Sequence, residues 1–288
     1  MPADTPPRPW RDALLTACAP VIWGSTYIVT SEFLPPDRPF TAALIRALPA
    51  GLLLLLVTWR LPHKQHWGRL AVLSALNIGV FQALLFVAAY RLPGGLAAVL
   101  GAIQPLLVML LAWAVDRQAP RGITACCAAA GVFGMAMLLL SPQTVFEPIG
   151  MAAALLGAAS MATGVWLTRR WQLGLPVLSM TGWQLVLGGM MLAPVAWLVD
   201  APLPALTASQ WAAYAYLSGA GALVAYVLWF RGVARLPSVA VASLGLLSPL
   251  TAVILGWVLL SQSMGGISLL GLLVVLVSVF GVQWTSSR

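Results

Sequence analysis

Charge is what this sequence has least of. Only 8% of its 288 residues are Asp, Glu, Lys or Arg, and just 7 are acidic. A soluble domain carries about 25%. The chain is also 61% hydrophobic with a mean hydropathy of +0.94, more apolar surface than a water-soluble fold of this length can hide. Most of it must therefore dissolve in lipid, and the bilayer is the first partner the sequence implies. The 3 cysteines exclude a disulfide framework. Cys18, Cys126 and Cys127 all lie in apolar runs, the last two adjacent, and read as small core residues. The 2 histidines, His63 and His66, follow Pro62 in a basic loop with no Cys, Asp or Glu nearby, so no metal site is indicated. No Gly-rich phosphate loop ending in Lys-Thr is present, which excludes a nucleotide-driven pump, and no cofactor is expected.

Apolar runs are what remains. A helix needs about 20 residues to cross the hydrocarbon, and ten such runs lie between polar or Pro/Gly-rich corners: 13–33, 40–59, 68–90, 94–115, 121–140, 148–168, 175–199, 209–230, 238–260 and 266–284. The formal net charge of +8 could suggest a nucleic-acid partner, but its distribution points to topology instead. With the N-terminus inside, Arg38 and Arg91 fall outside, Arg46 falls within a span, and every other basic residue faces the cytoplasm. Leu15-Thr16-Ala17-Cys18 looks like a lipoprotein cleavage site, yet too few apolar residues separate Asp12 from Cys18 for a signal core, so the first helix reads as uncleaved.

The chain states one pattern twice. At an offset of 144 positions, Arg91-Leu92-Pro93 falls on Arg235-Leu236-Pro237, Leu100-Gly101 on Leu244-Gly245, Pro105-Leu106 on Pro249-Leu250, and Trp113 on Trp257. Duplication is the economical explanation. Five spans, an odd number, separate the copies, so the second is inverted relative to the first. The expected fold is an all-α integral membrane protein: ten transmembrane helices in two inverted five-helix repeats, residues 1–142 and 143–288, around a central cavity. The Gly and Pro in the middle of the fourth and ninth spans break those helices. Irregular backbone survives at that depth only where protein or a water-lined cavity satisfies it, which makes Gly101, Pro105, Gly245 and Pro249 the expected hinges.

Polar and aromatic residues at mid-depth are the candidate binding groups, since in hydrocarbon each needs a partner, either a neighbouring helix or a ligand. Trp23 and Tyr27 stand in a Trp-Gly-Ser-Thr-Tyr run in the first span. Arg46 lies about two turns into the second, where a charge is costly and normally faces the bundle interior. Asn77 and Gln82 occupy the third span and Gln104 adjoins the fourth-span break. Ser160, Thr163 and Trp166 are the candidates of the sixth. An offset of 138 sets Gln184 of the seventh span where Arg46 stands. In the eighth, Tyr226 falls on the Gln82 position, with Trp229 beside it. The fifth and tenth spans carry no polar group at mid-depth. A lining of amides and rings with one charge suits a zwitterion bearing an apolar or aromatic side chain. It suits a sugar phosphate poorly, since that favours several Arg or Lys groups.

Ten spans in two halves, Trp23-Gly24-Ser25, Arg46 and the paired central prolines resemble the drug/metabolite transporter superfamily, EamA type, over the whole chain. Within it the sequence is most similar to the bacterial aromatic amino-acid exporters of the YddG type. The resemblance implies alternating access, export of amino acids or related metabolites across the inner membrane, and a cavity among helices one to four and six to nine with five and ten peripheral. Proton coupling usually needs a carboxylate or histidine within the membrane. None is expected deep in a span, Glu32 at the outer edge being the nearest, so facilitated diffusion or exchange is favoured over proton antiport. The same scarcity argues against a membrane-embedded enzyme, which needs a nucleophile with a base or a metal. A scramblase would need a polar groove open to lipid. The sequence is compatible with a monomer. Reporter fusions at both ends should place both termini in the cytoplasm; an external C-terminus would require an odd number of spans and end the inverted-repeat argument.

Overall fold

The computed structural model describes residues 9–58, 60–92, 100–139, 147–260 and 265–286, the side chains of Tyr27, Ser31, Ala89, Tyr90 and Leu260 excepted. Its regular elements are helices. α1 (Pro9–Phe33) and α2 (Pro39–Thr58) open the chain. α3 (Trp67–Ser74) runs through a π turn at Ala75–Gly79 into α4 (Val80–Arg91). α5 (Gln104–Asp116), α6 (Gly122–Leu139), α7 (Pro148–Trp171) and α8 (Val177–Val199) follow. α9 (Ala208–Ser218) runs through a second π turn, Gly219–Val224, into α10 (Ala225–Arg235). α11 (Ser238–Leu244), α12 (Leu247–Leu260) and α13 (Gly266–Ser286) complete the fold. Among the described residues, nine helices are long and apolar enough to cross a membrane, and α5 is a shorter apolar helix. Pro93 and the start of the fourth apolar run lie outside the described residues.

Local chemistry sets the helix ends. Pro stands in the first turn of α5 and α7, where its missing N–H costs nothing. Glu147 caps α7 by accepting from the Gly150 N–H at 2.5 Å. Thr207 and Gln210 form a reciprocal capping box on α9. Arg117 (φ 58°) and Gln172 (φ 37°) turn left-handed to stop α5 and α7.

The helical backbone is interrupted just ahead of α5 and again between α11 and α12. Around each break the backbone switches to tighter i→i+3 bonds: Ile103 N–H to Leu100 O at 3.4 Å in one copy, and Gly245 N–H to Ala242 O at 3.1 Å with Leu246 N–H to Ser243 O at 3.2 Å in the other. Pro105 and Pro249 then lie in the opening turn of the new helix, where little hydrogen bonding is lost. The two π turns also start 144 positions apart, at Ala75 and Gly219.

Packing is pairwise. α2 lies along α8 and α6 along α13, the two most extensive contacts, while α4 packs on α7 and α1 on α10 and α12. Close approach depends on small residues, as expected where lipid supplies no hydrophobic drive between helices. A Cβ at Gly271 would stand 2.5 Å from Leu138 N and 2.6 Å from Gly134 O, so the backbones of α6 and α13 touch there. Leu56, Val57, Trp197 and Val277 are exposed and face the lipid. Replacing Gly271 with Val must push α6 and α13 apart, an overpacking cost of about 1–3 kcal/mol, and should lower the thermal midpoint in detergent. Gly68→Ala, where a Cβ meets nothing within 4 Å, should leave it unchanged; equal midpoints for both would remove the close-packing argument.

Candidate functional site

A cavity of about 760 Å³ runs from mid-bundle to the turn at Leu34, Pro35 and Pro36. α1, α2, α4, α7 and α10 line it, together with both broken spans; α6 and α13 contribute nothing to it. Arg46 is its one charged lining residue among the described residues.

The second π turn organises the centre. A π turn shifts the helical bonding pattern and makes a carbonyl available to side chains. Here Gly221 O accepts from Trp23 Nε1 at 2.9 Å and from Arg46 Nη2 at 3.0 Å. Arg46, 5% exposed, is thereby held by another helix's main chain instead of snorkelling outward. The fixed indole of Trp23 meets Tyr226 at 5.0 Å and Trp229 at 5.2 Å between ring centres, both tilted, a favourable aromatic geometry. Gln82 Nε2 donates to the Tyr226 hydroxyl at 2.7 Å across a sequence separation of 144. That separation is the offset at which the sequence pattern recurs, so the bond joins positions that correspond in the two copies of the pattern. Among the described residues, Gln82 Oε1, Gln104 Nε2 and Trp229 Nε1 are buried without a hydrogen-bond partner, and all three residues line the cavity. Buried polar atoms seldom go unpartnered, which leaves one acceptor and two donors for a ligand.

Other candidates lie elsewhere. Asn77 Nδ2 donates to Gln184 Oε1 at 2.7 Å and to Thr168 Oγ at 3.1 Å, and Ser160 Oγ donates to Leu76 O at 2.8 Å. These groups tie the first π turn to α7 and α8. Neither Asn77 nor Gln184 lines the cavity, and no other residue of α8 does. Thr163 Oγ donates to its own helix at Ala159 O. Trp166 donates through Nε1 to Asp116 at 2.6 Å, towards the far end of the bundle. Gly101, Gly245 and Pro249 line the cavity and Pro105 does not. Tyr27 is on α1, but its side chain lies outside the described residues. The arrangement still relates Gln184 to Arg46. Gln184 reaches the first π turn at Asn77 and Arg46 the second at Gly221, and 77 and 221 are again 144 apart.

At the end opposite Pro35 and Pro36 the bundle is closed by ions. Asp12, 2% exposed, lies 2.6 Å from Arg231 and 3.5 Å from Arg235. Asp116 pairs with Arg170, whose guanidinium lies over the Trp166 ring. Arg169 donates to the carbonyls of Val233 and Leu236. Sequence reasoning missed Asp12 because it precedes the first apolar run; the helix starts earlier, at Pro9, and carries it inside. The signal available was its place on the same predicted side as Arg231 and Arg235.

The sequence profile of the EamA-like transporter family matches residues 10–140 and again 148–284. Protein PecM of Dickeya dadantii (strain 3937) is 44% identical over 268 residues, covering 92% of this chain and 90% of its own. The uncharacterized inner membrane transporter YedA of Escherichia coli (strain K12) is 28% identical, covering 90% and 86%. A solved crystal structure superposes with a TM-score of 0.80 over 97% of this chain and 98% of its own at 18% identity, a likeness of fold alone.

Removing the Asp12 carboxylate leaves Arg231 and Arg235 facing each other without it, so Asp12→Asn should loosen the closed end. A cysteine at Thr16, which is fully buried, should then react several-fold faster with a small thiol reagent, in a background with Cys18, Cys126 and Cys127 replaced by Ser. Unchanged labelling would show that the ion cluster is not the seal.

Proposed function

The chain belongs to the EamA-like transporter family, and from that premise we propose that it exports neutral amino acids with aromatic or other apolar side chains, and related metabolites, by alternating access. On this reading ten spans form two inverted repeats, residues 1–142 and 143–288, in a bacterial inner membrane with both termini cytoplasmic. The family is one of transporters, not enzymes, and a small-molecule substrate follows from that.

The lining of the cavity is the observation that carries the substrate class. Rings from Trp23, Tyr226 and Trp229, amides from Gln82 and Gln104, and the guanidinium of Arg46 surround one space. Rings stack on an apolar side chain, Gln82 Oε1 accepts from an ammonium, and Gln104 and Arg46 attract a carboxylate. Given the positive-inside bias, the mouth at Pro35 and Pro36 faces outward and the ion cluster at Asp12 is an inner gate. Alternating access then requires the cluster to separate while the outer mouth closes, with the stop-and-restart breaks at Gly101/Pro105 and Gly245/Pro249 as flexing points.

Facilitated diffusion or exchange fits better than proton antiport. A carrier carboxylate must meet the cavity, and among the described residues no Asp or Glu lines it. Asp12 and Asp116 stand at the closed end, each against arginine. In proteoliposomes, counterflow of an aromatic amino acid should proceed with the pH gradient dissipated. Gln82→Ala and Tyr226→Ala should each reduce it by about tenfold, the order expected from one lost buried hydrogen bond of roughly 1–2 kcal/mol, and Arg46→Ala by more. Wild-type rates in all three variants, or strong sugar-phosphate transport with none of amino acids, would sink the reading.

A further inference from the structure

The lining of the cavity is of two kinds. α1, α4 and α10 bring rings, while the broken spans and α7 bring, beside larger groups such as Gln104, Met161 and Leu246, a set of positions no larger than alanine, Gly101, Gly157 and Gly245 among them. The glycines at the two breaks are the least explained. Neither has a positive φ; Gly174 is the only glycine that does among the described residues. Gly245 sits at φ −55°, ψ −27°, a conformation open to any residue. Neither serves close helix contact. At Gly24 a Cβ would come within 2.5 Å of Ser248 O on a neighbouring helix, but at Gly101 it meets nothing within 4 Å. At Gly245 it meets the preceding turn's Ala242 O at 3.0 Å, then only the Trp229 ring at 3.8 Å and Gln104 Oε1 at 4.0 Å. Both glycines line the cavity. A side chain at either position would therefore occupy transport space, and at Gly245 it would start within 4.0 Å of both the Trp229 ring and the Gln104 amide.

We infer that Gly101 and Gly245 set the size limit of the substrate: lacking side chains at the two breaks, they keep room in the cavity for a flat ring system, which at Gly245 lies beside Trp229 and Gln104. The inference rests on the transport reading above and adds its specificity determinants. The cavity's 760 Å³ lies within the roughly 300–1,000 Å³ of sites for drug-sized ligands, room that a single small amino acid does not need. A size limit also differs from a hinge in what it does to selectivity. A hinge glycine acts through its backbone, and its replacement slows every substrate alike. A size-limiting glycine acts through the missing side chain, and its replacement rejects bulky substrates first.

The test is counterflow of L-alanine, L-phenylalanine and L-tryptophan by wild-type protein and by Ala, Val and Leu variants at positions 101 and 245. The readout is the ratio of tryptophan to alanine counterflow, which is insensitive to the amount of folded protein. It should fall stepwise with side-chain volume, by about tenfold or more for Gly101→Leu and Gly245→Leu, the scale on which pockets discriminate substrate bulk. A constant ratio, with rates either lowered or unchanged, overturns the inference. If wild-type protein moves none of the three amino acids, the amino-acid reading fails by itself. Positions 101 and 245 are then judged by thiol labelling of Gly101→Cys and Gly245→Cys with Cys18, Cys126 and Cys127 replaced by Ser, which also covers a Leu variant that does not insert. Rapid reaction of both with a small methanethiosulfonate supports open space at the two breaks, and protection of both overturns it.

Discussion

The carbonyl of Gly221 holds this bundle together at its centre. Its oxygen accepts from two side chains of other helices, Trp23 and Arg46, partners that a polar group in hydrocarbon must find within the protein. The same bonds do several things at once. They attach α1 and α2 to the span that contains the π turn, give a deep arginine a partner at the middle of the chain's depth, and orient the Trp23 indole against Tyr226 and Trp229. The groups that would meet a ligand are thus the groups that close the fold, so the cavity's shape is set before any substrate arrives.

Depth was legible in the sequence, and facing was not. Rise per residue places a polar side chain at mid-membrane, and on that ground Trp23, Arg46, Gln82, Gln104, Tyr226 and Trp229 were identified, all of which line the cavity. The same rule selected Asn77, Trp166 and Gln184, which bind neighbouring helices instead. Helices that are apolar nearly all round offer little periodic signal to say which side of a span looks inward. The π turns were equally hidden, since nothing in Ala75–Gly79 breaks a helix pattern as proline does; the Gly-Ala-Gly at 219–221 was the faint exception. Asp12 escaped because the boundary of an apolar run was taken as the boundary of the buried helix.

The two halves share a plan and differ in chemistry. Each has a π turn in its third span, and each π turn receives a polar group from the long helix packed against it. In one half that group is an arginine bonded to main chain; in the other it is a glutamine bonded to an asparagine side chain. A neutral amide pair can be buried out of reach of the cavity, whereas a guanidinium keeps its value for a ligand only if it borders the open space. The ends of the bundle are unequal too. One admits a cavity bounded by prolines, and the other is shut by carboxylates and arginines whose attraction a wet, opening mouth would weaken.

The bond from Gln82 to Tyr226 has a history implied in it. Had each half once been a separate chain, this position would have faced its own copy across the interface of a symmetric pair, and whatever residue stood there had to be complementary to itself. An amide can satisfy that condition, because it both donates and accepts. Joining the halves in one chain lifts the condition, since each copy of the position is then encoded separately. One can keep the amide while the other becomes a phenol, and the molecule gains at its middle a polarity from one half to the other that a pair of identical subunits cannot have.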